Sequence, residues 1–463
     1  MSNVDLARLQ FAMTSIYHFL FVPLTIGLSF LTALLQTSWY RKGRPEDLRL
    51  TKFFGTLLVI NIAVGVVTGL VQEFQFGMNW SSYSRFVGDV FGAPLAMEGL
   101  AAFFLESVFL GLWIFGWNRL PRRVHLATIW AVAVGGALSG AFIMAANSWM
   151  QRPVGYKINP SNGRAQLTDI WAVFTNTVFI WAYVHVLLAA LVTASAVMFG
   201  VSAWHLRRRS SPEVFGRSAR LAIIVLIPST LFNLLIGSNL GVVETTYQPM
   251  KIAAAEANWN TCQPCSFSLF QIGGGNHDQT PFKIIQIPHL LSLISTNSWN
   301  GKVLGLNQLQ AQYSQKYGPG NYIPNVFIQY WSMRVMAYGG VLVLLVALLG
   351  GFFLLRGTLA EHRRFLWLAV WTAPLPFIMN IAGWLLTESG RQPWIVQGLQ
   401  LVRNGVSSSV GTATIVTSLI VFFLLYGILA IVDTILMTHY ARKQLTPETG
   451  KTEEPVAESE FIY

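Results

Sequence analysis

Nine stretches of about 20 or more predominantly apolar residues run along this chain, and no other feature restricts its fold so strongly. They cover residues 11–37, 54–74, 94–117, 125–148, 172–204, 218–237, 327–355, 365–387 and 408–439. A helix needs ~20 apolar residues to cross a bilayer. Only 11% of the residues are charged, whereas soluble domains carry about 25%. The pattern predicts an all-α integral membrane protein with nine transmembrane helices.

Basic residues are concentrated in alternate connections between these predicted spans. The clusters lie at 41–52, 119–123, 207–220, 356–364 and 442–443. Connections that remain in the cytoplasm are enriched in Lys and Arg. We therefore expect the amino terminus outside and the carboxyl terminus in the cytoplasm, and we attribute the net charge of +11 to membrane topology rather than to nucleic-acid binding.

Two segments are too polar to span a membrane. Residues 238–326 form a long outer loop, and residues 441–463 form an acidic tail that we expect to be disordered in the cytoplasm. These segments divide the chain into 1–237, 238–326, 327–440 and 441–463. The chain has two cysteines, Cys262 and Cys265, both in the outer loop. Their spacing allows a local disulfide or two free thiols, and a metal site is the weakest alternative because a second ligand pair is missing.

Two carboxylates interrupt the third apolar stretch. Glu98 and Glu106 lie within PLAMEGLAAFFLESVFLGLW, residues 94–113. Eight residues of α-helix give about 12 Å of rise and about 80° of rotation, so both side chains can lie along one side of a bundle interior. Titratable groups at membrane depth are costly and typically belong to proton pathways. The sequence predicts a proton relay here, with hydrogen bonding for packing alone as the alternative.

Other polar side chains in apolar stretches are candidate iron ligands. His18 and His185 could ligate haem iron, although a histidine bonded to a neighbouring helix is the alternative. Met336 lies two residues after Arg334, and a histidine–methionine pair is a known low-spin haem ligation.

Glu388 ends the eighth apolar stretch and is followed by Arg391. The two residues could form a simple ion pair. Alternatively, the carboxylate could ligate iron while the guanidinium balances the charge of a haem propionate.

These residues stand in motifs that resemble subunit I of cytochrome bd, a family of bacterial quinol oxidases, over about 440 residues. The motifs are MEGLAAFFLES at 97–107, ANSWMQRPVG at 146–155, KIAAAEANW at 251–259, RVM at 334–336 and GRQPW at 390–394. The resemblance implies a multi-pass protein of the bacterial plasma membrane, with its nine transmembrane helices arranged as two four-helix-bundle-like groups plus one peripheral helix.

The resemblance implies three cofactors: a low-spin haem b, a high-spin haem b and a haem d. His185 and Met336 match the ligands of the low-spin haem b iron. Glu388 matches the ligand of the high-spin haem b iron, and His18 matches the ligand of haem d. These last two assignments could be exchanged, because relatives differ over which position holds haem d.

Three further residues match positions around the haems. Arg334 and Arg391 match residues that support haem charge. Trp384 matches a tryptophan between haems and could assist electron transfer.

The long outer loop resembles the family's quinol-binding Q loop, in its short class. Lys251 and Glu256 match the lysine and glutamate implicated in quinol oxidation. Such a role is chemically sensible, because quinol must lose two protons with its electrons and a carboxylate can accept one.

Glu98 and Glu106 match the proton-path carboxylates of the family, and Ser107, Ser139 and Asn147 are further candidates for this polar route. One departure is visible. Many relatives carry an aspartate where this chain has Asn118 in GWNRL, and asparagine cannot titrate. Proton uptake from the cytoplasm is therefore expected to use another group.

The resemblance implies an enzyme that oxidises ubiquinol or menaquinol on the outer face and reduces oxygen to water with cytoplasmic protons. A proton motive force would result without pumping. The implied partners are a second subunit of cytochrome bd and small single-span subunits. A proton-coupled transporter that uses Glu98 and Glu106 is the alternative, although the sequence shows no internal repeat of the kind that transporters commonly contain.

Overall fold

The computed structural model describes residues 2–445, so most of the predicted tail, 441–463, lies outside the described residues. The helices are α1 (Asn3–Lys42), α2 (Pro45–Gly77), α3 (Ser81–Met97), α4 (Phe104–Phe115), α5 (Arg122–Gln151), α6 (Ile170–Phe174), α7 (Thr177–Arg207), α8 (Pro212–Tyr247), α9 (Pro249–Ala255), α10 (Leu290–Thr296), α11 (Leu306–Tyr317), α12 (Val326–Leu355), α13 (Arg363–Thr372), α14 (Leu375–Gly390), α15 (Val402–Gly405) and α16 (Thr412–Ala441). The strands are β1 (Tyr156–Ile158), β2 (Ala165–Leu167), β3 (Phe267–Ile272), β4 (Phe282–Ile287), β5 (Trp394–Val396) and β6 (Gln400–Leu401).

Within residues 2–445, nine helical segments are long and apolar enough to cross a membrane. α3 and α4 together form the third span, and α13 and α14 form the eighth. The strands form three separate antiparallel pairs, β1–β2, β3–β4 and β5–β6. The predicted all-α membrane fold is confirmed.

The spans pack as two four-helix groups that share an interface. The first four spans form one group and spans five to eight form the other, with α1 against α7 joining them. At this joint, a side chain on Gly27 would collide with the backbone of Ala190, so the glycine permits the close approach. The ninth span, α16, packs mainly on α1 and α2, touches α7 where the carbonyl of Ala441 bonds His205, and buries few side chains, as expected for a peripheral helix.

The largest apolar core occupies the inner half of both groups. Its members include Leu28, Leu58, Ile129, Phe199 and Val343, all fully or almost fully buried. Most polar side chains singled out from the sequence, including His18, His185, Met336 and Glu388, lie in the halves of their helices nearer the 238–326 loop. Glu106 and Ser107 lie in the other half of the third span, Ser81–Phe115.

The third span changes its geometry at a functional candidate. Between α3 and α4, Glu98–Phe103 form a short π-helical segment. π-Helical turns are rare and frequent at functional sites. Because a π-turn is wider than an α-turn, the simple α-helical rotation expected between Glu98 and Glu106 does not apply.

The outer loop is shorter and more structured than expected. α8 continues to Tyr247, ten residues beyond the predicted end of the sixth span. The loop then contains α9, α10, α11 and the β3–β4 hairpin. Cys262 and Cys265 form a disulfide within it, which decides between the alternatives left open by their spacing.

Candidate functional site

Lys251 is the centre of a buried polar cluster that lies where α5 and α8 end and α9 begins. Its Nζ donates hydrogen bonds to Oε1 of Gln151 at 2.5 Å and to Oε2 of Glu244 at 2.8 Å. All three side chains are buried. A buried ammonium needs such partners, since burying an isolated charge is very costly. The partners also fix the direction in which Lys251 points.

Glu256 forms a second buried ion pair one turn further along. Its Oε2 lies 2.7 Å from Nη2 of Arg334 in α12. The same guanidinium donates to the carbonyls of Ala255 at 2.6 Å and Ser268 at 2.7 Å, and it stacks over Tyr330. Arg334 thus ties the outer loop to the seventh span. The sequence predicted a haem-supporting role for this arginine and did not predict its pairing with Glu256.

Burial shifts the titration of these loop residues. It raises the pKa of Glu256, while the charge and hydrogen bond of Arg334 act in the opposite direction. Burial lowers the pKa of Lys251, opposed by Glu244. Burial also lowers the pKa of Lys283 on β4, whose charge interacts with Glu256. A carboxyl with a raised pKa next to cations is suited to exchange protons nearer neutral pH.

The two predicted low-spin ligands each face a glycine of a neighbouring helix. A Cβ on Gly237 would lie 3.1 Å from Cε1 of His185, and a Cβ on Gly383 would lie 3.2 Å from Sδ of Met336. His185 and Met336 are about 12 Å and 15 Å from the outer ends of α7 and α12, from the rise per residue. The two side chains therefore occupy similar depths in the same four-helix group.

His18 has the same kind of surroundings in the first group. Its Nδ1 lies 3.0 Å from Oγ1 of Thr68, and a Cβ on Gly69 would lie 3.0 Å from its Cε1. The next residue, Phe19, stacks on Trp384 of α14 with ring centroids 4.2 Å apart. Trp384 is thus placed at the joint between the two helix groups, beside the predicted ligand His18.

Glu388 is held by a neutral and a cationic partner. Its Oε1 accepts from Nδ2 of Asn147 at 2.7 Å, and its Oε2 lies 2.5 Å from Nη2 of Arg391. Arg391 is buried, yet its Nε and Nη1 have no partner within residues 2–445. The simple ion pair considered from the sequence is present, but it leaves two guanidinium donors unused.

The carboxylates of the third span both face α5. Oε1 of Glu98 accepts from the hydroxyl of Ser139 at 2.6 Å, and the carboxyl of Glu106 lies against Gly136 of α5. The charges of Glu98 and Glu106 interact. Glu73 of the second span also interacts with Glu98, so a third carboxylate joins this group.

The other members suggested for the polar route have different surroundings. Ser139 contacts Glu98 as described, which agrees with its suggested place. Ser107 bonds the carbonyl of Phe103 in its own helix. Asn147 bonds Glu388 rather than a carboxylate of the third span.

Sequence reasoning missed Glu244, Gln151 and Glu73. Glu244 lies beyond the predicted end of the sixth span, in the segment that the sequence predicts to be loop. Gln151 precedes Lys251 by 100 residues, and nothing local in the sequence connects them. Glu73 carried a usable signal, because it is a carboxylate at the end of an apolar stretch.

The fold and these side chains define a class: a multi-pass membrane protein with imidazole, thioether and carboxylate groups set within two groups of helices. A family model described as cytochrome bd terminal oxidase subunit I matches residues 6–445. The chain belongs to this family. It is therefore a subunit of a membrane-bound, haem-containing quinol oxidase, an oxidoreductase of electron transport, and the expected enzyme class is confirmed.

Individual relatives agree with this assignment. The chain is 44% identical to the cytochrome bd ubiquinol oxidase subunit 1 of Bacillus subtilis, over 93% of this chain and 91% of the relative. It is 36% identical to the cytochrome bd-II ubiquinol oxidase subunit 1 of Escherichia coli, over 98% of both chains. The solved structure of bd oxidase from Geobacillus thermodenitrificans has a TM-score of 0.85 and 28% identity, covering 95% of this chain and 98% of that chain.

The residues present fit the haem that the family implies. The buried Nδ1 of His185 makes no well-formed hydrogen bond within residues 2–445, although the backbone of Asn233 lies nearby. Arg391 retains two buried donors without partners, which suits an anionic propionate. Glycines beside His18, His185 and Met336 leave these side chains uncrowded.

Proposed function

We propose that quinol is oxidised at the cluster formed by Lys251, Glu256 and Arg334, and that oxygen is reduced by electrons passed inward from there. The observation that carries the proposal is the pair of buried ion pairs Lys251–Glu244 and Arg334–Glu256 at the outer edge of the helices. Arg334 lies two residues from Met336, so the loop cluster adjoins a predicted iron ligand.

In this proposal His185 and Met336 would hold the low-spin haem b. Glu388 would hold the high-spin haem b and His18 would hold haem d, while Arg334 and Arg391 would support haem charge. When bound, the haems supply one-electron transfer and oxygen chemistry, while the protein supplies ligands, electrostatic environment and access. Trp384, stacked on Phe19, provides an aromatic path between the two helix groups.

The loop residues perform the proton chemistry of quinol oxidation. Each quinol loses two electrons and two protons as it becomes quinone. Glu256 accepts a proton from a quinol hydroxyl at its carboxylate oxygen, and Arg334 stabilises the ionised carboxylate that must be present beforehand. Lys251, held in place by Gln151 and Glu244, orients a quinol oxygen by donating a hydrogen bond. The second proton leaves to the outer solution.

Glu106 and Glu98 deliver protons for oxygen reduction in this proposal. Four protons and four electrons convert one oxygen molecule to two water molecules, which requires two quinols. Protons are taken from the cytoplasm and pass by Glu106 and Glu98, so release and uptake on opposite faces generate the proton motive force without a pump. Glu73 and Ser139 extend this group of exchangeable or hydrogen-bonding side chains.

The remaining parts of the proposal concern orientation and partners. The amino terminus lies outside and the carboxyl terminus in the cytoplasm of a bacterial plasma membrane, supported by the distribution of Arg and Lys. The chain acts in a heterodimer with a second cytochrome bd subunit, as the subunit numbering of its relatives suggests. Its substrate is ubiquinol or menaquinol.

Quinol kinetics of the purified complex test the loop assignment. We expect Glu256→Ala to raise the apparent quinol KM or to lower turnover, while the haem spectrum is retained. Asn307→Ala on α11 is the control, because this exposed residue lies in the same loop. Unaltered quinol kinetics in Glu256→Ala would place the site elsewhere.

Optical spectra test the ligand assignment. We expect His185→Ala and Met336→Leu to remove or convert the low-spin haem b signal and to leave the other haem bands. A normal low-spin signal in either variant contradicts the pair. A colourless, fully assembled complex would instead favour the proton-coupled transporter.

A further inference from the structure

The β3–β4 hairpin of the outer loop exposes an unusually apolar surface. Its strands read FSLFQI and FKIIQI. Ile272 and Phe282 are directly paired across the hairpin, and they are 61% and 70% exposed. Ile284 and Ile285 are also exposed. Contiguous exposed apolar patches mark surfaces that contact a partner or a membrane.

The hairpin is attached to the outer half of the seventh span. The hydroxyl of Tyr338 in α12 donates to the carbonyl of Leu269 in β3. The ring of Phe270 packs edge-on against Trp331, with centroids 5.2 Å apart. Both partners belong to α12, so the hairpin lies beside the helix rather than above its end.

Helix length sets the depth of this attachment. α12 ends at Leu355 and is followed by Arg356, a residue type that marks a membrane boundary. A hydrocarbon core about 30 Å thick is crossed by about 20 residues. Counting back from Arg356 places the other boundary near Met336, so Tyr338 and the carbonyl of Leu269 lie at the edge of the hydrocarbon.

The surface next to the hairpin on α12 is apolar and exposed. Val335, Val341, Leu342 and Leu345 are exposed along this apolar helix. Trp331 and Tyr338 lie at the level where aromatic residues are enriched in membrane proteins. The apolar hairpin surface therefore continues an exposed apolar surface at the depth of the headgroups, which favours lipid over a water-soluble partner.

The opposite face of the hairpin points to the buried cluster. Gln271 is buried and pairs with Lys283, and the charge of Lys283 interacts with Glu256. The carbonyl of Ser268 in β3 accepts from Arg334. The hairpin thus has one polar face toward Glu256 and Arg334 and one apolar face turned away from them.

We propose that the β3–β4 hairpin is seated in the membrane interface on the loop side, with Ile272, Phe282 and Ile284 among phospholipid acyl chains. The hairpin forms a wall between the bilayer and the Glu256–Arg334 pair. This location of the hairpin is inferred from its depth and its exposed side chains alone, and it does not depend on where quinol is oxidised.

Spin labelling of the complete oxidase complex in phosphatidylcholine–phosphatidylglycerol nanodiscs tests whether the hairpin lies in the membrane interface. Both native cysteines of this chain are bonded to each other, so a nitroxide can be attached at Phe282→Cys or, separately, at Ile284→Cys. Gln312→Cys on the polar helix α11 is the matched control, since this exposed position belongs to the same loop. Unmodified complex treated in parallel gives the background, and an unchanged haem spectrum shows that each variant is folded.

Collision with molecular oxygen and with a water-soluble nickel chelate reports the surroundings of each label. We expect labels at 282 and 284 to favour oxygen over nickel several-fold more than the label at 312. Equal accessibility at all three positions would overturn the proposal, because the hairpin would then lie in water. Immobile labels at 282 and 284 that neither reagent reaches would also overturn it, because a protein partner would then cover the surface.

Discussion

Two sets of acidic groups, one buried and one partly exposed, are held in opposite ways in this molecule. At the outer loop, Glu244 pairs with Lys251 and Glu256 pairs with Arg334. In the third span, Glu98 takes a hydrogen bond from the neutral hydroxyl of Ser139, and Glu106 lies against Gly136.

The difference separates a fixed charge arrangement from an exchangeable one. An ion pair in a dry site stabilises the ionised carboxylate and fixes its position. A carboxyl beside a neutral hydroxyl has no fixed counter-charge, so no ion pair has to break when it gains or loses a proton. The loop cluster therefore suits binding and orientation of a substrate, with Glu256 as the proton acceptor proposed above, whereas the third-span carboxyls suit the proposed proton passage.

The largest effect is expected from removing the cation of the loop pair. Arg334→Met leaves Glu256 buried without a partner, and breaking a buried pair costs about 3–5 kcal/mol. We expect a large drop in the thermal midpoint of the purified complex. Arg356→Met, at the exposed inner end of the same helix, is the control. An Arg334→Met complex as stable as this control would show that the pair is not structurally important.

A loss of turnover with little loss of stability is expected in the third span. Glu106→Gln removes the exchangeable proton but preserves shape, and loss of general acid–base function typically costs on the order of 100-fold in rate. Oxygen consumption with excess quinol measures it, with haem content as the check on assembly. Thr438→Ala in α16 is the control, because this hydroxyl bonds its own helix and lies outside the suggested route. Full activity in Glu106→Gln removes Glu106 from the proton route.

The pH dependence of quinol oxidation should depend on Glu256. A protonated carboxyl cannot accept the quinol proton, so kcat/KM should rise with pH as Glu256 ionises. Because burial raises the pKa of Glu256 from 4.5, the rise should extend above that value. Glu256→Gln should flatten this limb of the profile, whereas Asp278→Asn at the exposed hairpin connection should retain it. A retained limb in Glu256→Gln would assign it to another group.

The raised pKa of Glu256 also determines how the stability of the folded protein changes with pH. Between 4.5 and its raised pKa, Glu256 keeps its proton in the folded protein while the unfolded chain has lost it. The folded state then binds more protons, so its stability decreases as pH rises through this window. Glu256→Gln should reduce that decrease, as measured by thermal midpoints over the same pH range.

The smallest effect is expected from a single methyl group beside a predicted ligand. Gly383→Ala would place a Cβ 3.2 Å from Sδ of Met336, and overpacking of this kind costs about 1–3 kcal/mol. We expect a partial loss or shift of the low-spin haem b signal in reduced-minus-oxidised spectra. Gly427→Ala in α16, where a Cβ meets no atom within 4 Å, should leave the spectrum unchanged. Identical spectra for the two variants would count against Met336 as a ligand.

The spans themselves were predictable because apolar length is a local property of sequence. Their ends were not, as the sixth span shows. Its last turns, GSNLGVVETTY, are polar enough to read as loop, yet α8 continues through them and buries Glu244 against Lys251. The β3–β4 hairpin did carry a usable signal, since FSLFQI and FKIIQI are short apolar segments separated by turn residues.

The candidate residues were predictable one by one, but their partners were not. Motifs supplied Lys251, Glu256 and Arg334 separately. Nothing local in the sequence indicates that Arg334 forms an ion pair with Glu256 or that Gln151 bonds Lys251, because these contacts join elements that are remote along the chain. The assignments of iron ligands and of the proton route remain predictions, for which the glycines beside the ligands and the grouping of Glu73, Glu98 and Glu106 give structural support.

The bond between Arg334 and Glu256 has a consequence for biogenesis. The two residues are 78 positions apart, and ribosomes add about 5–20 residues per second. The nascent loop must therefore wait about 4–16 seconds after Glu256 is synthesised before its anchoring arginine exists. Lys251 can already pair with Gln151 and Glu244 of earlier helices, but Glu256 has no ion-pair partner in α12 until the seventh helix has entered the bilayer. Insertion of that helix therefore sets the earliest moment at which this part of the loop can reach its final arrangement.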